Sequence, residues 1–275
     1  LNLSGTGAFK PNSTNVSSTV NITGAANISG GTFTVLESSG SSTVNIAGDF
    51  NVTAGTITET GSGTALINFN GTSMQTYTSG ATISNAVNFN VNANAYLQMA
   101  DATTTVTGGG YFTVTNSGKL GITSAAGISS SGATGNIRVT GTRTFNTGAD
   151  YLYNGNAAQT SGNGLPATNR NLTINNAAGV TLTSSTNTTG TLTFTAGNVT
   201  TNGNTLTLGT STASTGSLSR TSGHVLGNFR RWVASTIASN ILFPLGTATD
   251  YNGYTISFTG APTGGTITGS FNTGF

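Results

Sequence analysis

The chain has 275 residues, of which 40 are Gly and only 4 are Pro, with 5% charged and 35% hydrophobic residues. Eight Lys+Arg against six Asp+Glu leave a formal net charge of +2, so a pI near 9.1 reflects a small imbalance and argues for no nucleic-acid partner. The absence of Cys excludes a disulfide framework and any thiolate nucleophile or metal ligand, while abundant Val, Ile and Thr argue against disorder.

The first signal along the chain is a repeat. Ser17-Ser18-Thr19-Val20-Asn21-Ile22 returns letter for letter as Ser41-Ser42-Thr43-Val44-Asn45-Ile46, 24 residues later. The register then holds: Ala26-Asn27-Ile28 answers to Phe50-Asn51-Val52, and Gly31-Thr32-Phe33-Thr34 to Gly55-Thr56-Ile57-Thr58. Each unit carries three short alternating segments, in the second copy Thr43–Ile46, Asp49–Val52 and Thr56–Thr58, separated by Gly, Ala or Ser. Alternation places Val44 and Ile46, then Phe50 and Val52, on one face of their strands. One turn of this kind buries almost nothing. Stacking equivalent strands at ~4.8 Å turns the inward residues into ladders and predicts Ala26 against Phe50 and Phe33 against Ile57.

A third turn follows with an offset of 23, Ala65-Leu66-Ile67-Asn68-Phe69, in which Ile67 stands for Val44 and Phe69 for Ile46. Further along, Gly108-Gly109-Gly110 continues into Tyr111-Phe112 without an acid, so a calcium-binding glycine repeat is not expected. A longer similarity relates Phe69-Asn70-Gly71 and Gln75-Thr76 to Tyr153-Asn154-Gly155 and Gln159-Thr160. Phe89, Val91, Leu97 and Met99 match Leu172, Ile174, Val180 and Leu182, each 83 residues on. No window sustains a helical apolar period. After Leu208-Gly209 the composition shifts to a stretch with the only Trp and the only His, which sets an expected boundary near residue 215. Strands are expected there over Val225–Val233, Asn240–Phe243, Tyr254–Phe258 and Thr266–Phe271.

These observations predict an all-β chain: a right-handed parallel β-helix of about 24 residues per turn and about nine turns over residues 1–215, followed by a short antiparallel β-rich segment over 216–275 that caps it or begins a β-sandwich. No run approaches the ~18 apolar residues of a transmembrane span. No basic and apolar leader precedes Leu1, so the chain reads as mature or as part of something longer.

The order Asn171-Leu172-Thr173-Ile174-Asn175-Asn176, Gly190-Thr191-Leu192-Thr193-Phe194-Thr195-Ala196-Gly197, Gly203-Asn204-Thr205-Leu206-Thr207-Leu208-Gly209 and Phe243-Pro244-Leu245-Gly246-Thr247 resembles repetitive secreted and cell-surface β-helix proteins of Bacteroidota, substrates of the type IX secretion system. The resemblance covers roughly residues 65–260. It implies an exported, very long surface or filamentous protein, extracellular or on the outer cell surface, although the C-terminal sorting domain of such proteins is absent here.

The few ionisable residues bound the available chemistry. The carboxylates are Glu37, Asp49, Glu59, Asp101, Asp150 and Asp250, and only Asp49 and Glu59 fall in one turn, where the neighbouring copy has Val35 in place of Glu59. They are expected to be exposed corner charges. His224 has no acid nearby in sequence. No catalytic, metal or cofactor residue is therefore expected. Arg230-Arg231-Trp232 either contacts a sugar or partner or forms a strand with a core Trp. Thr-x-Thr pairs such as Thr32/Thr34 on Thr56/Thr58, and Thr181/Thr183, Thr191/Thr193 and Thr205/Thr207, suit a solvated sheet face or an ice-ordering one. The expected function is a non-catalytic spacer, adhesin or filament building block whose partners are neighbouring modules of the same long chain or other subunits. Its alternatives are a glycan-binding module with Tyr151, Tyr153, Arg230 and Trp232 as contacts, a polysaccharide-active enzyme using Asp49, Asp101 or Asp150, and an ice-binding protein.

Overall fold

The computed structural model describes residues 1–237 and 239–271, and its regular elements are strands, with no helix among the described residues. None therefore is a helix long and apolar enough to cross a membrane. The chain is a parallel β-solenoid of about 10 turns, successive turns lying about 23 residues apart. It divides into two compact units, residues 1–124 with 128–149, and residues 125–127 with 150–271.

In the first unit one sheet stacks Ser18–Ile22, Ser42–Ile46, Ala65–Phe69, Asn88–Val91, Phe112–Val114 and Arg143–Phe145 in parallel. A second sheet stacks Ala26–Leu36, Phe50–Glu59, Met74–Ser79, Tyr96–Met99 and Lys119–Ile122, with Asn2–Leu3 and Ala8–Phe9 on its outer edge. The repeat register is reproduced residue for residue: Ala26 pairs with Phe50, Phe33 with Ile57, Val44 with Ile67 and Ile46 with Phe69.

One detail differs from the three-segment reading. The second and third segments of each early turn are one long strand, Ala26–Leu36 and Phe50–Glu59, bent at a glycine. Gly31 and Gly55 hold φ of +70° and +87°, and the ladder register shifts beside them. A Cβ on Gly55 would lie 2.6 Å from the Gly31 carbonyl oxygen, so only glycine lets the two turns stack through the bend.

Alternation then carries apolar side chains inward. Val44, Ile67, Phe89 and Phe112 form one continuous buried column, Ile46, Phe69, Val91 and Val114 a second, and Ala26, Phe50, Tyr77 and Met99 a third. Phe50, Phe69 and Tyr77 meet with ring centroids 5.6–6.3 Å apart, and Phe69 stacks on Phe89 at 6.4 Å. Each such side chain contributes about 1.5–3 kcal/mol by leaving water. On the outer faces the intervening asparagines form amide ladders. Asn45 Nδ2 donates to Asn21 Oδ1 at 2.8 Å, Asn68 Nδ2 to Asn45 Oδ1 at 2.9 Å, and Asn51 Nδ2 to Asn27 Oδ1 at 2.9 Å.

In the second unit Asp150–Tyr153, Asn171–Asn175, Thr191–Ala196 and Ser217–Arg220 form one parallel sheet. Gln159–Thr160, Val180–Thr181, Val199–Leu208 and Val225–Val233 form another, and Gly265–Gly269 pairs antiparallel with Val225–Val233. Ile241–Phe243 and Tyr254–Ile256 make a separate antiparallel pair. The composition change near residue 215 thus falls inside the parallel coil. Val225 and Phe229 extend the buried columns of Val199 and Leu206, and that burial keeps the strand parallel despite its altered composition. The two copies of the longer similarity share a local device. Gln75 Oε1 accepts from the Gly71 amide at 2.7 Å, and Gln159 Oε1 accepts from the Gly155 amide at 2.9 Å, each buried glutamine bracing an Asn-Gly corner.

Candidate functional site

The structure separates the four residues singled out for glycan or partner contact. Tyr151 and Tyr153 alternate on Asp150–Tyr153, and both point into the coil, each 1% exposed. Their strand neighbours explain this, since Tyr151 pairs with Leu172 and Tyr153 with Ile174, both core residues. The Tyr153 hydroxyl donates to the Ser161 carbonyl at 2.6 Å, and burial pushes both phenols well above their ordinary ionisation range. Buried rings offer no stacking face to a sugar outside the coil, so these two tyrosines are core residues. Arg230 and Trp232 lie on the same side of Val225–Val233, the first exposed and the second half-buried, and Arg230 Nε donates to Thr268 Oγ1 at 3.2 Å. Arg231 turns the other way. Its Nη1 donates to the Leu242 carbonyl at 2.8 Å, and burial lowers its pKa.

The carboxylates are each occupied by a different local partner. Glu37 pairs with Lys10 at 2.5 Å, and Asp49 Oδ1 accepts from the Thr76 amide at 2.7 Å. Glu59 Oε1 accepts from the Ala86 amide at 3.1 Å. Asp101 accepts from the amides of Thr103 and Thr104, both at 2.8 Å, and from both hydroxyls; the Thr103 hydroxyl is the largest cause of its lowered pKa. Asp150 grips Arg170 through two oxygens at 2.7 and 2.8 Å and accepts from Asn171 at 2.9 Å. Asp250 accepts from the hydroxyls of Thr247 and Thr249. No two of these six share a hydrogen-bond donor, and no group of three or more His, Asp or Glu able to hold a metal occurs among the described residues.

His224 is buried beside the turn that follows Phe243-Pro244-Leu245, its Nε2 2.7 Å from the Thr247 carbonyl and its ring 5.9 Å from Tyr251. Arg220 lies 3.7 Å over the Tyr251 ring. This cluster ties the turn to the coil. The threonine rungs divide. Thr32 and Thr56 face outward, whereas Thr34 and Thr58 are buried and Thr58 accepts from Ser84 and Asn85. Thr191 and Thr193 keep an outward face, between Thr173 and Ser219 in the same row as Thr193.

Sequence reasoning missed a pair of arginines. The buried column Val44, Ile67, Phe89, Phe112 ends on Arg143, which occupies the next register position opposite Phe112. Its guanidinium is pinned by carbonyls: Nε to Val139 at 3.1 Å, Nη1 to Ser129 at 3.1 Å, and Nη2 to Gly132 at 2.5 Å and Val139 at 2.9 Å. Arg138 lies close by, its Nε donating to the Gly135 carbonyl at 2.8 Å. Both line a surface pocket of about 370 Å³ with Ser131, Ala133, Val139 and Thr140. The 31-residue step from Phe112 to Arg143 breaks the repeat, so no periodicity could have aligned them.

No protein-family model, curated protein or solved structure matches this chain.

Proposed function

We propose that the chain is a non-catalytic structural module of an exported surface protein, a spacer or filament segment whose work is done by the stacked coil itself. The observation that carries this reading is the use of the chemistry-bearing side chains. All six carboxylates are engaged by the coil's own corners and neighbouring turns, and the repeated asparagines bind one another from turn to turn. Support for an extracellular place comes from the resemblance of residues 65–260 to repetitive surface proteins exported by the type IX system. Neighbouring modules of a longer polypeptide, or other subunits of a surface assembly, are the partners this reading requires.

Electron microscopy of the native material tests it. A stalk or fibre on the outer cell surface is the expected image. An isolated, soluble particle that stays monomeric at high concentration by light scattering would count against filament building, and turnover of a polysaccharide by the purified chain would replace the scaffold with an enzyme.

A further inference from the structure

Arg143 breaks the strongest local rule in the molecule, because it stands where five turns of the same column have placed aliphatic or aromatic residues, from Val20 to Phe112. A cation at the end of an apolar ladder must find polar partners, and half-buried Arg143 finds them in carbonyl oxygens. Arg138 stands beside it, and neither guanidinium lies within ion-pair distance of a carboxylate among the described residues. Burial, with a smaller contribution from the charge of Arg138, holds Arg143 below its ordinary pKa. Arg143 commits its donors to four carbonyl contacts and is fixed in place, while Arg138 commits only Nε and keeps both Nη groups for another acceptor.

We propose that this pocket binds one acidic sugar unit of a polysaccharide, with Arg138 gripping its carboxylate or sulfate, Arg143 supplying a second positive charge, and Ser131 and Thr140 facing the ring hydroxyls. A guanidinium fork matches both oxyanions bidentately. The volume suits a single small-molecule unit. The lining mixes hydroxyls with the apolar Val139 and Ala133, which suits a pyranose better than an inorganic ion. Two cations on a chain of net charge +2 make a point of attachment and not the multi-phosphate track that nucleic acid requires. The site stands independently of the scaffold reading, since a filament and an isolated particle could each carry it.

Affinity electrophoresis of the full chain tests the proposal, with polygalacturonate, dextran sulfate, neutral dextran and duplex DNA as separate probes at low salt. Retardation by either acidic polysaccharide, declining as salt is raised, is expected, with none by neutral dextran; which polymer retards more distinguishes carboxylate from sulfate. Arg138→Gln should weaken binding about tenfold or more, Arg138→Lys should fall between, and Lys10→Gln, which removes one positive charge from an exposed residue outside the pocket, should leave it unchanged. The circular dichroism spectrum of each variant should match the parent. No retardation by either acidic polysaccharide, equal retardation by DNA, undiminished binding in Arg138→Gln, or an equal loss in Lys10→Gln would overturn the proposal.

Discussion

Tyr77 shows at the level of one residue how a repeat tolerates an imperfect letter. Its column runs Ala26, Phe50, Tyr77, Met99, so the ring continues a stack that Phe50 began, and the fit is aromatic on aromatic at 5.6 Å. The hydroxyl is buried without a hydrogen-bond partner. Leaving such a group dry costs about 1–3 kcal/mol, whereas Phe at this position would keep the packing and lose the cost. Tyr77→Phe is therefore expected to leave stability unchanged or raise it by about 1 kcal/mol, read as an increased denaturant midpoint with an unchanged slope; a lower midpoint would mean that the hydroxyl has a partner in solution. Tyr151 and Tyr153 carry the opposite lesson. Their alternation with Leu152 left open which face was inward, and aromatic residues suggested a platform. Alignment with Leu172 and Ile174, 21 residues on, already contained the answer, because a column shared with aliphatic residues is an interior column.

At the scale of the strand and the turn, the parts legible from sequence are those fixed by a strict period. Pairing of Ala26 with Phe50 follows from the letter-for-letter repeat beside it, and the one-residue slip at Ala65–Phe69 from the matching alternation, since a parallel register must bring inward residues onto inward residues. The merging of two segments into Phe50–Glu59 was not legible. Glycine in a repeat suits a corner as well as a bend, and the choice depends on how closely the previous turn approaches. The asparagine ladders were hidden for a different reason: an Asn between apolar residues reads as any solvated strand position, and only the stacking shows that Asn21, Asn45 and Asn68, which recur at one position of the repeat, bond along it. Gly55 is the element's weak point. Alanine there must adopt φ near +87° with its methyl 2.6 Å from the Gly31 carbonyl oxygen. Gly55→Ala should cost more than about 1 kcal/mol, whereas the same change at Gly24, where an added methyl would meet nothing within 4 Å and φ is ordinary, should be close to neutral. Equal thermal shifts in the two variants would show that the bend is not held by its glycine.

Across the whole molecule, the scarcity of charge sets the response to pH. The chain has only six Asp and Glu side chains, and the hydrogen bonds from Thr103 and Thr104 lower the pKa of exposed Asp101. Its contribution is present above the ordinary carboxylate range and is lost as pH falls through its depressed value, and solvent screening keeps it small. Alkali acts on different groups. Burial raises the pKa of Tyr77 in the first unit and of Tyr151 and Tyr153 in the second, so all three are held neutral in the folded state. In the unfolded chain they ionise near pH ~10. Folding stability is therefore complete below that pH and falls as it rises from there toward the raised values of the folded state, because the unfolded chain alone releases these protons. The expected profile falls steeply above pH ~10. Phenolate absorbance and far-ultraviolet circular dichroism, followed together in an alkaline titration, check it: the buried tyrosines should ionise only as the β-signal disappears. Full ionisation of all seven tyrosines with the β-signal intact would place Tyr77, Tyr151 and Tyr153 in contact with solvent and contradict the dry columns on which the coil depends.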